Sequence, residues 1–246
     1  MDPVDRIDRI DGPRATSDER RLRVGCIVQA RLDSTRLCHK VLREIPPGSG
    51  QLVLTRVLWA ALLARRVAEV CLTTPDPALA FLARSWSEGL VWTQLWRGDR
   101  DPLAEYATLA RARRYDLVVR LTADCPMITG EIIDAGIAAF LAEELDLYYN
   151  GLDGADVEVC TRDVLERANA EATLPEDREH VTLWIKRELW YREGKPSPAE
   201  RAWYKSLDTP EDFRLIADRL GSEGRDLIDP IDRSGGGGIA GEAGHG

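Results

Sequence analysis

The chain has 246 residues, 44% of them hydrophobic and 30% charged, with a formal net charge of −9. That supplies enough apolar material for one sizeable α/β core, and the acidic balance argues against a duplex nucleic acid or a polybasic membrane contact while leaving room for a local basic pocket. Five cysteines without a C-x-x-C pair read as free thiols of a reducing, cytoplasmic setting, and no apolar run is long enough to span a bilayer.

Residues 1–21 open with "MDPVDRIDRIDG" and read as a polar, flexible arm with no signal-peptide apolar stretch. "RVGCIVQA" (23–30) follows as a strand that is apolar on both faces, the pattern of a central parallel strand. After a polar turn, "LVLTRVLWAALLARR" (52–66) has helical periodicity. "VAEVCLTTPD" is a second strand, and "PALAFLARSWSEG" is a helix stopped at Gly89. "VWTQLWRGD" reads as a short strand and loop, and Pro102 opens the next helix. "DLVVRLTADCP" is a strand that ends in small and charged residues, followed by a helix capped by Thr129. Strand and helix alternate four times, which predicts an α/β, mostly parallel, Rossmann-like sheet.

The pattern changes near residue 145. "LDLYYNGLDGADVEVCTRDVL" predicts short strands around an Asp-Gly turn, and "EDREHVTLWIKREL" (176–189) predicts one helix. Residues 147–190 are expected to form a small inserted α+β lobe within a domain spanning 22–222. "WYKSLDTPEDFRLIADRL" (203–220) returns to the core as a short strand, Asp208 and a last amphipathic helix. From Asp232 the chain runs "DRSGGGGIAGEAGHG", so 223–246 read as a flexible, Gly-rich tail.

In such folds ligands sit beyond the carboxyl ends of the strands. Two candidate stretches occupy that place. The first turn reads "QARLDSTR" and lacks both the G-x-G-x-x-G of a dinucleotide site and a Walker A lysine loop. It still offers Ser34, Thr35 and cations at Arg31, Arg36 and Lys40, groups suited to a triphosphate. The plainer alternative is a solvated basic loop. Asp124, in "RLTADCP", lies past the end of a strand and suits a divalent cation that bridges protein and phosphate, or else a cap for the segment that follows. Asp208 is either an N-cap or a second carboxylate on the same ion.

Four stretches, in this order, resemble the cytidylyltransferases that activate acidic sugars, in particular the spore-coat polysaccharide type of acylneuraminate cytidylyltransferase: "VQARLDSTRLCHKVL", "VVRLTADCPMI", "DGADVEV" with "REHVTLWI", and "LDTPEDF". The resemblance covers about residues 22–220. It implies CTP and Mg²⁺, transfer of CMP to a small anionic acceptor, release of pyrophosphate and a homodimer, with no nucleic-acid or membrane partner. Carried over, it puts the nucleotide on Gln29, Ala30, Arg31, Ser34, Thr35, Arg36, Lys40, Arg120, Thr122 and Asp124. Arg36 and Lys40 hold phosphate oxygens, and Asp124 and Asp208 hold the metal; these four form the catalytic set. Asp153, Asp156, Glu158, Glu179 and His180 lie around the acceptor, His180 with the alternative of a bond inside the lobe.

The family pattern has a glycine before Ser-Thr-Arg, then proline and glycine before the lysine; here those places are Asp33, Cys38 and His39. Ala123 replaces the glycine of Thr-Gly-Asp, and Asp101-Pro102 follows the retained Arg97-Gly98. Three other readings stay open: a phosphonate or related small-acid cytidylyltransferase, a nucleotide-sugar glycosyltransferase, for which a strand-end D-x-D is missing, and a catalytically weak scaffold subunit. The helical stretch "HVTLWIKRELWY" (180–191) carries Val181, Leu183, Trp184, Ile185, Leu189 and Trp190, an apolar set expected to serve a dimer contact, with packing on the sheet as the competing view.

Overall fold

Val24–Gln29 form the central strand β1, buried on both faces because four of its six side chains are apolar and Gly25 lets another group approach. A Cβ at Gly25 would lie 2.2 Å from the Tyr115 ring, so glycine is required for Tyr115 to pack across the strand. The computed structural model describes residues 22–96 and 101–222. The N-terminal arm, the Gly-rich tail and the Arg97-Gly98 pair lie outside the described residues.

β1 is followed by a 3-10 turn at Lys40–Leu42, α1 (Val53–Leu63), β2 (Glu69–Thr74), α2 (Pro77–Trp86), β3 (Val91–Leu95), α3 (Pro102–Ala112), β4 (Leu117–Thr122) and α4 (Gly130–Leu141). Then come β5 (Leu147–Tyr149), β6 (Glu158–Thr161), α5 (Arg162–Glu171), α6 (Pro175–Glu179), α7 (Leu183–Glu188), β7 (Tyr191–Glu193), α8 (Pro198–Trp203) and α9 (Pro210–Ser222). The strands form one seven-stranded sheet in the order β3-β2-β1-β4-β6-β5-β7. β1 to β4 pair in parallel, so the alternating strands and helices legible in the sequence are the strands and helices of the fold. Residues from α1, α2 and α4 pack one face of the sheet, and residues from α3, α5 and α7 pack the other.

Register decides the function. Gln29 sits opposite Thr122 on one side and Thr73 on the other, so the loops after β1 and β4 leave the sheet side by side. β6 runs antiparallel to β4 with Arg120 opposite Glu158, and β5 places Tyr149 opposite the same Glu158. Arg120, Glu158 and Tyr149 therefore form one row across three strands, just inside the edge where the first loop emerges.

Four expectations change. The strands of 147–190 do not make a sheet of their own; β5 and β6 extend the main one through backbone pairing to β4. The helix expected over 176–189 is broken at His180–Thr182, where Val181 takes φ 52. A left-handed β-branched residue costs about 1–2 kcal/mol, offset here by complete burial of its side chain in the core under α7. No strand precedes Asp208; residues 204–208 run extended, and Leu207 N–H donates to the carbonyl of Asp124 at 2.9 Å. Finally, Val181, Trp184 and Ile185 are buried against their own chain, so the apolar helix face expected at a dimer contact is already covered, and only Trp190 stands out, 69% exposed.

Candidate active site

The first loop descends to Lys40 through His39, which takes φ 51 at the place where the family pattern has glycine. The histidine accepts a strain of about 1–2 kcal/mol, and the turn still forms. It lowers Lys40 into a crevice between the strand-end carboxylate Asp124 and the loop carboxylate Asp208. Lys40 Nζ donates to Asp124 Oδ2 at 2.7 Å, to Asp208 Oδ1 at 2.9 Å and to the Leu207 carbonyl at 2.8 Å. All three ammonium hydrogens are thereby used. Arg36 reaches Asp208 Oδ1 from the solvent side at 2.9 Å.

This geometry answers the capping alternatives. Thr129, not Asp124, caps α4 by accepting from Ile132 N–H. Thr209, not Asp208, caps α9, with Asp212 bonding back to the Thr209 N–H. Both aspartates are left to face the lysine. Burial works to raise the carboxyl of Asp124, but the Lys40 ammonium overrides it and holds the group below its ordinary range. Burial likewise works to lower Lys40, and Asp124 and Asp208 outweigh it. The cluster is ionised on both sides.

Next along the edge lies Asp156. Its loop is built on Asn150, a buried amide that donates to the Ala155 carbonyl and accepts from Leu152 and Val157 N–H. Gly154, at φ 92, is forced: a Cβ there would lie 2.0 Å from the backbone of Lys205. Its N–H donates to Asp156 Oδ2 at 2.9 Å. Cys125 Sγ sits 3.3 Å from the same oxygen, and Tyr149 OH donates to Oδ1 at 3.0 Å. Burial raises the Asp156 carboxyl above its ordinary range against these donors.

The third cluster inverts the first. Glu158, 4% exposed, accepts from Arg120 Nη1 at 2.7 Å, Lys186 Nζ at 2.5 Å and Thr182 Oγ1 at 2.9 Å. Lys186 also lies 4.2 Å above the Tyr149 ring. The broken helix matters here, because the turn at Val181 lets Thr182 and Lys186 both reach one carboxylate. Glu158, expected at the acceptor, is buried here and accepts from three donors, two of them cations. Arg120, assigned to the nucleotide by resemblance, is bonded to Glu158, and its buried Nε has no partner.

The remaining expected residues are spread around this edge. Ala30 contributes a buried methyl to the core, and its N–H is bonded to the Thr73 carbonyl. Arg31 lies 3.5 Å from Asp33 and 3.9 Å from Glu179, so it reaches from the first loop toward α6. Asp33 thus has a cation beside it. Ser34 accepts from Leu37 N–H within the turn, and Thr35 is exposed. Thr122 Oγ1 meets Cys125 Sγ at 3.2 Å, and Gln29 is half-buried at the end of β1. Asp153 is bonded by Ser206 and Lys205, and His180 is exposed in the break between α6 and α7. Asp101 caps α3 and binds Arg178 beside α6, a structural use. Sequence reasoning missed Tyr149, Lys186 and Ser206, which carry no local motif and are recruited only by strand pairing and loop packing.

Among the described residues no three His, Cys, Asp or Glu side chains gather as a ready-made metal site. Two carboxylates converging on one ammonium do fit a magnesium ion, which takes one or two carboxylates and fills its other positions with phosphate oxygens and water.

A family model described as Cytidylyltransferase matches residues 25–215. The spore coat polysaccharide biosynthesis protein SpsF of Bacillus subtilis is 28% identical over 204 residues, covering 77% of this chain and 83% of that protein. Among solved structures, a cytidylyltransferase from Leptospira borgpetersenii superposes with a TM-score of 0.67 at 24% identity, over 78% of this chain and 84% of that one. A CMP:2-keto-3-deoxy-manno-octonic acid synthetase complexed with CTP superposes with a TM-score of 0.63 at 16% identity, over 82% and 99%. The chain belongs to the cytidylyltransferase family, and its fold is the α/β nucleotidyltransferase fold of those structures.

Proposed function

We propose that this protein transfers CMP from CTP to a small anionic acceptor, an acidic sugar of the kind the SpsF resemblance suggests, with release of pyrophosphate. The observation that carries the reading is the convergence of Lys40, Asp124 and Asp208, from three distant parts of the chain, at the carboxyl end of β1 and β4.

Asp124 and Asp208 would hold Mg²⁺. When bound, the ion neutralises phosphate charge and polarises the α-phosphate. Lys40, released from the carboxylates, and Arg36, already on the solvent side, are placed to take oxygens of the β- and γ-phosphates. The first loop from Gln29 to Lys40 orients the nucleotide, and Arg31 closes over it toward Glu179. The rate gain comes from positioning and charge neutralisation.

The acceptor side is read from the other cluster. Arg120 and Lys186 carry two positive charges against the single carboxylate of Glu158, whereas Lys205 is balanced by Asp153. The one surplus positive charge on this wall favours an acceptor that bears a carboxylate or similar anion. Trp190 and Tyr191, exposed at the outer edge of the sheet, are the residues we assign to a homodimer contact; light scattering that gives 27.5 kDa at every concentration would remove that assignment.

The deciding experiment is pyrophosphate release with each of the four NTPs and Mg²⁺ against nonulosonic acids, octulosonic acids, sugar phosphates and phosphonates. We expect release with CTP and a sugar acid. Equal rates with UTP or ATP would remove the base assignment. An absence of release with every one of these acceptors would favour the scaffold.

A further inference from the structure

We infer that Asp156 is the proton acceptor of the reaction, and that the attacking group is therefore a hydroxyl rather than an oxyanion. The inference rests on the cytidylyltransferase reading and adds what that reading lacks, a base.

The argument starts from saturation. Asp124 and Glu158 are ionised, but each is bonded to cations. Asp153 is paired with Lys205. Asp156 is different: the donors on its oxygens are a phenol, a backbone N–H and a thiol, all neutral. A carboxylate has about four acceptor positions, and three are used. One lone pair remains, on a side chain that is neither fully buried nor saturated.

Position supports the same conclusion. One thiol separates Asp156 from the metal dyad: Cys125 Sγ lies 3.3 Å from Asp156 Oδ2 and 3.8 Å from Asp124 Oδ1. On the other side Tyr149 joins Asp156 to Lys186. Asp156 therefore sits between the place where the α-phosphate would be held and the cationic wall proposed for the acceptor's anion. Neighbouring candidates are unsuited. Burial keeps the thiol of Cys125 and the phenol of Tyr149 protonated, well above their ordinary ranges. Asp156 is moved toward neutrality, first by burial and also by Asp153, with Arg120 as the nearby opposing charge. A carboxyl shifted that way is a better base than a free one.

In the step, the acceptor O–H gives its proton to Asp156 as its oxygen bonds the α-phosphorus. The bond from that phosphorus to the bridging oxygen breaks, and its electron pair leaves with pyrophosphate. The proton then passes to solvent.

The test is the pH dependence of pyrophosphate release by the full-length protein with CTP, Mg²⁺ and the best hydroxyl acceptor. Asp156→Asn should lower kcat by about 10²- to 10³-fold, leave the KM for CTP within a few-fold, and abolish the acid limb of the kcat profile. Tyr149→Phe keeps the ring under Lys186 but removes one hydrogen bond from the carboxylate. Its acid limb should move to higher pH with little change in the plateau, and this variant carries the test if Asp156→Asn does not fold. An unmoved acid limb in Tyr149→Phe, or a kcat within about threefold of the original in Asp156→Asn, overturns the inference and leaves the function standing. A clear preference for phosphonate or phosphate oxyanions over hydroxyl acceptors also overturns it alone. A parent protein that fails to release pyrophosphate with any of the acceptors overturns the function and the base together.

Discussion

The two ends of this edge are built from the same kinds of side chain in inverted arrangement. At one end a central cation, Lys40, lies between two carboxylates, one of which Arg36 also meets from the solvent side; at the other a central carboxylate, Glu158, is held by two cations. Their solvent access differs as well. The side chains of Asp124 and Asp208 remain about a quarter exposed, at 27% and 26%, whereas that of Glu158 is 5% exposed. The first cluster can release its lysine and take up another cation, because water can attend each carboxylate during the exchange. The second cannot open without leaving charge in a low-dielectric interior. One end suits ligand exchange, and the other holds the shape of the wall.

The sharpest way to break this contrast is Glu158→Gln. It leaves Arg120 and Lys186 facing each other without a counter-charge, and unfolding free energy should drop by about 3–5 kcal/mol in urea titrations. A loss under about 1 kcal/mol would mean that the buried cluster is as exchangeable as the open one.

Asp124→Ala should show the reverse profile. Turnover should fall by about 10²- to 10³-fold, while the urea midpoint moves little, since the side chain caps no helix and supports no core. Near-normal turnover at limiting Mg²⁺ would remove the metal role, and collapse of the protein would make the open cluster structural.

The pH dependence of stability separates the ends more finely. Burial works to raise Glu158 and Asp124, but Arg120 and Lys186 in one case and Lys40 in the other hold both below their ordinary values of 4.5 and 3.8. Groups with depressed folded values contribute stability that is present above the unfolded values and lost as pH falls through the folded ones. The melting temperature should therefore be flat above about pH 5 and decline below about pH 4. Glu158→Gln should flatten that decline, Asp124→Ala less so. A decline unchanged in both variants would place the acid-sensitive groups elsewhere, Glu69 with its Arg113 and Tyr115 partners being the next candidate.

The smallest effect is expected at Arg36, whose side chain is 67% exposed. Arg36→Ala should change stability by no more than about 0.5 kcal/mol, yet raise the KM for CTP several-fold if the residue meets phosphate. An unchanged KM would confine phosphate binding to Lys40.

Much of this was legible in the chain. The apolar run of β1, the alternation through α4 and the strand-end placement of Asp124 are local properties, written in hydrophobic period and turn residues. The basic loop was legible too, with Lys40 in it. What the sequence could not supply was which of two uses each polar residue takes. Asp208 is the better cap on paper; only the geometry gives the cap to Thr209 and frees the aspartate. The helix over 176–189 has unbroken apolar spacing, so nothing local announces the turn at Val181, which follows from Thr182 and Lys186 both bonding Glu158.

The sequence by itself therefore determined the α/β class, the first loop and the strand-end place of Asp124, because each depends on neighbours a few residues away. Only the tertiary structure decided that residues 40, 124 and 208 meet at one point, that Glu158 is bonded by Arg120 and Lys186, and that the donors on Asp156 are neutral. Those outcomes depend on sheet order and register. Pairing β6 antiparallel to β4 sets Glu158 opposite Arg120, and packing residues 204–208 against Gly154 and Asp124 brings Asp208 to Lys40. Such contacts join side chains far apart in sequence, whose meeting is fixed by the burial of the whole core.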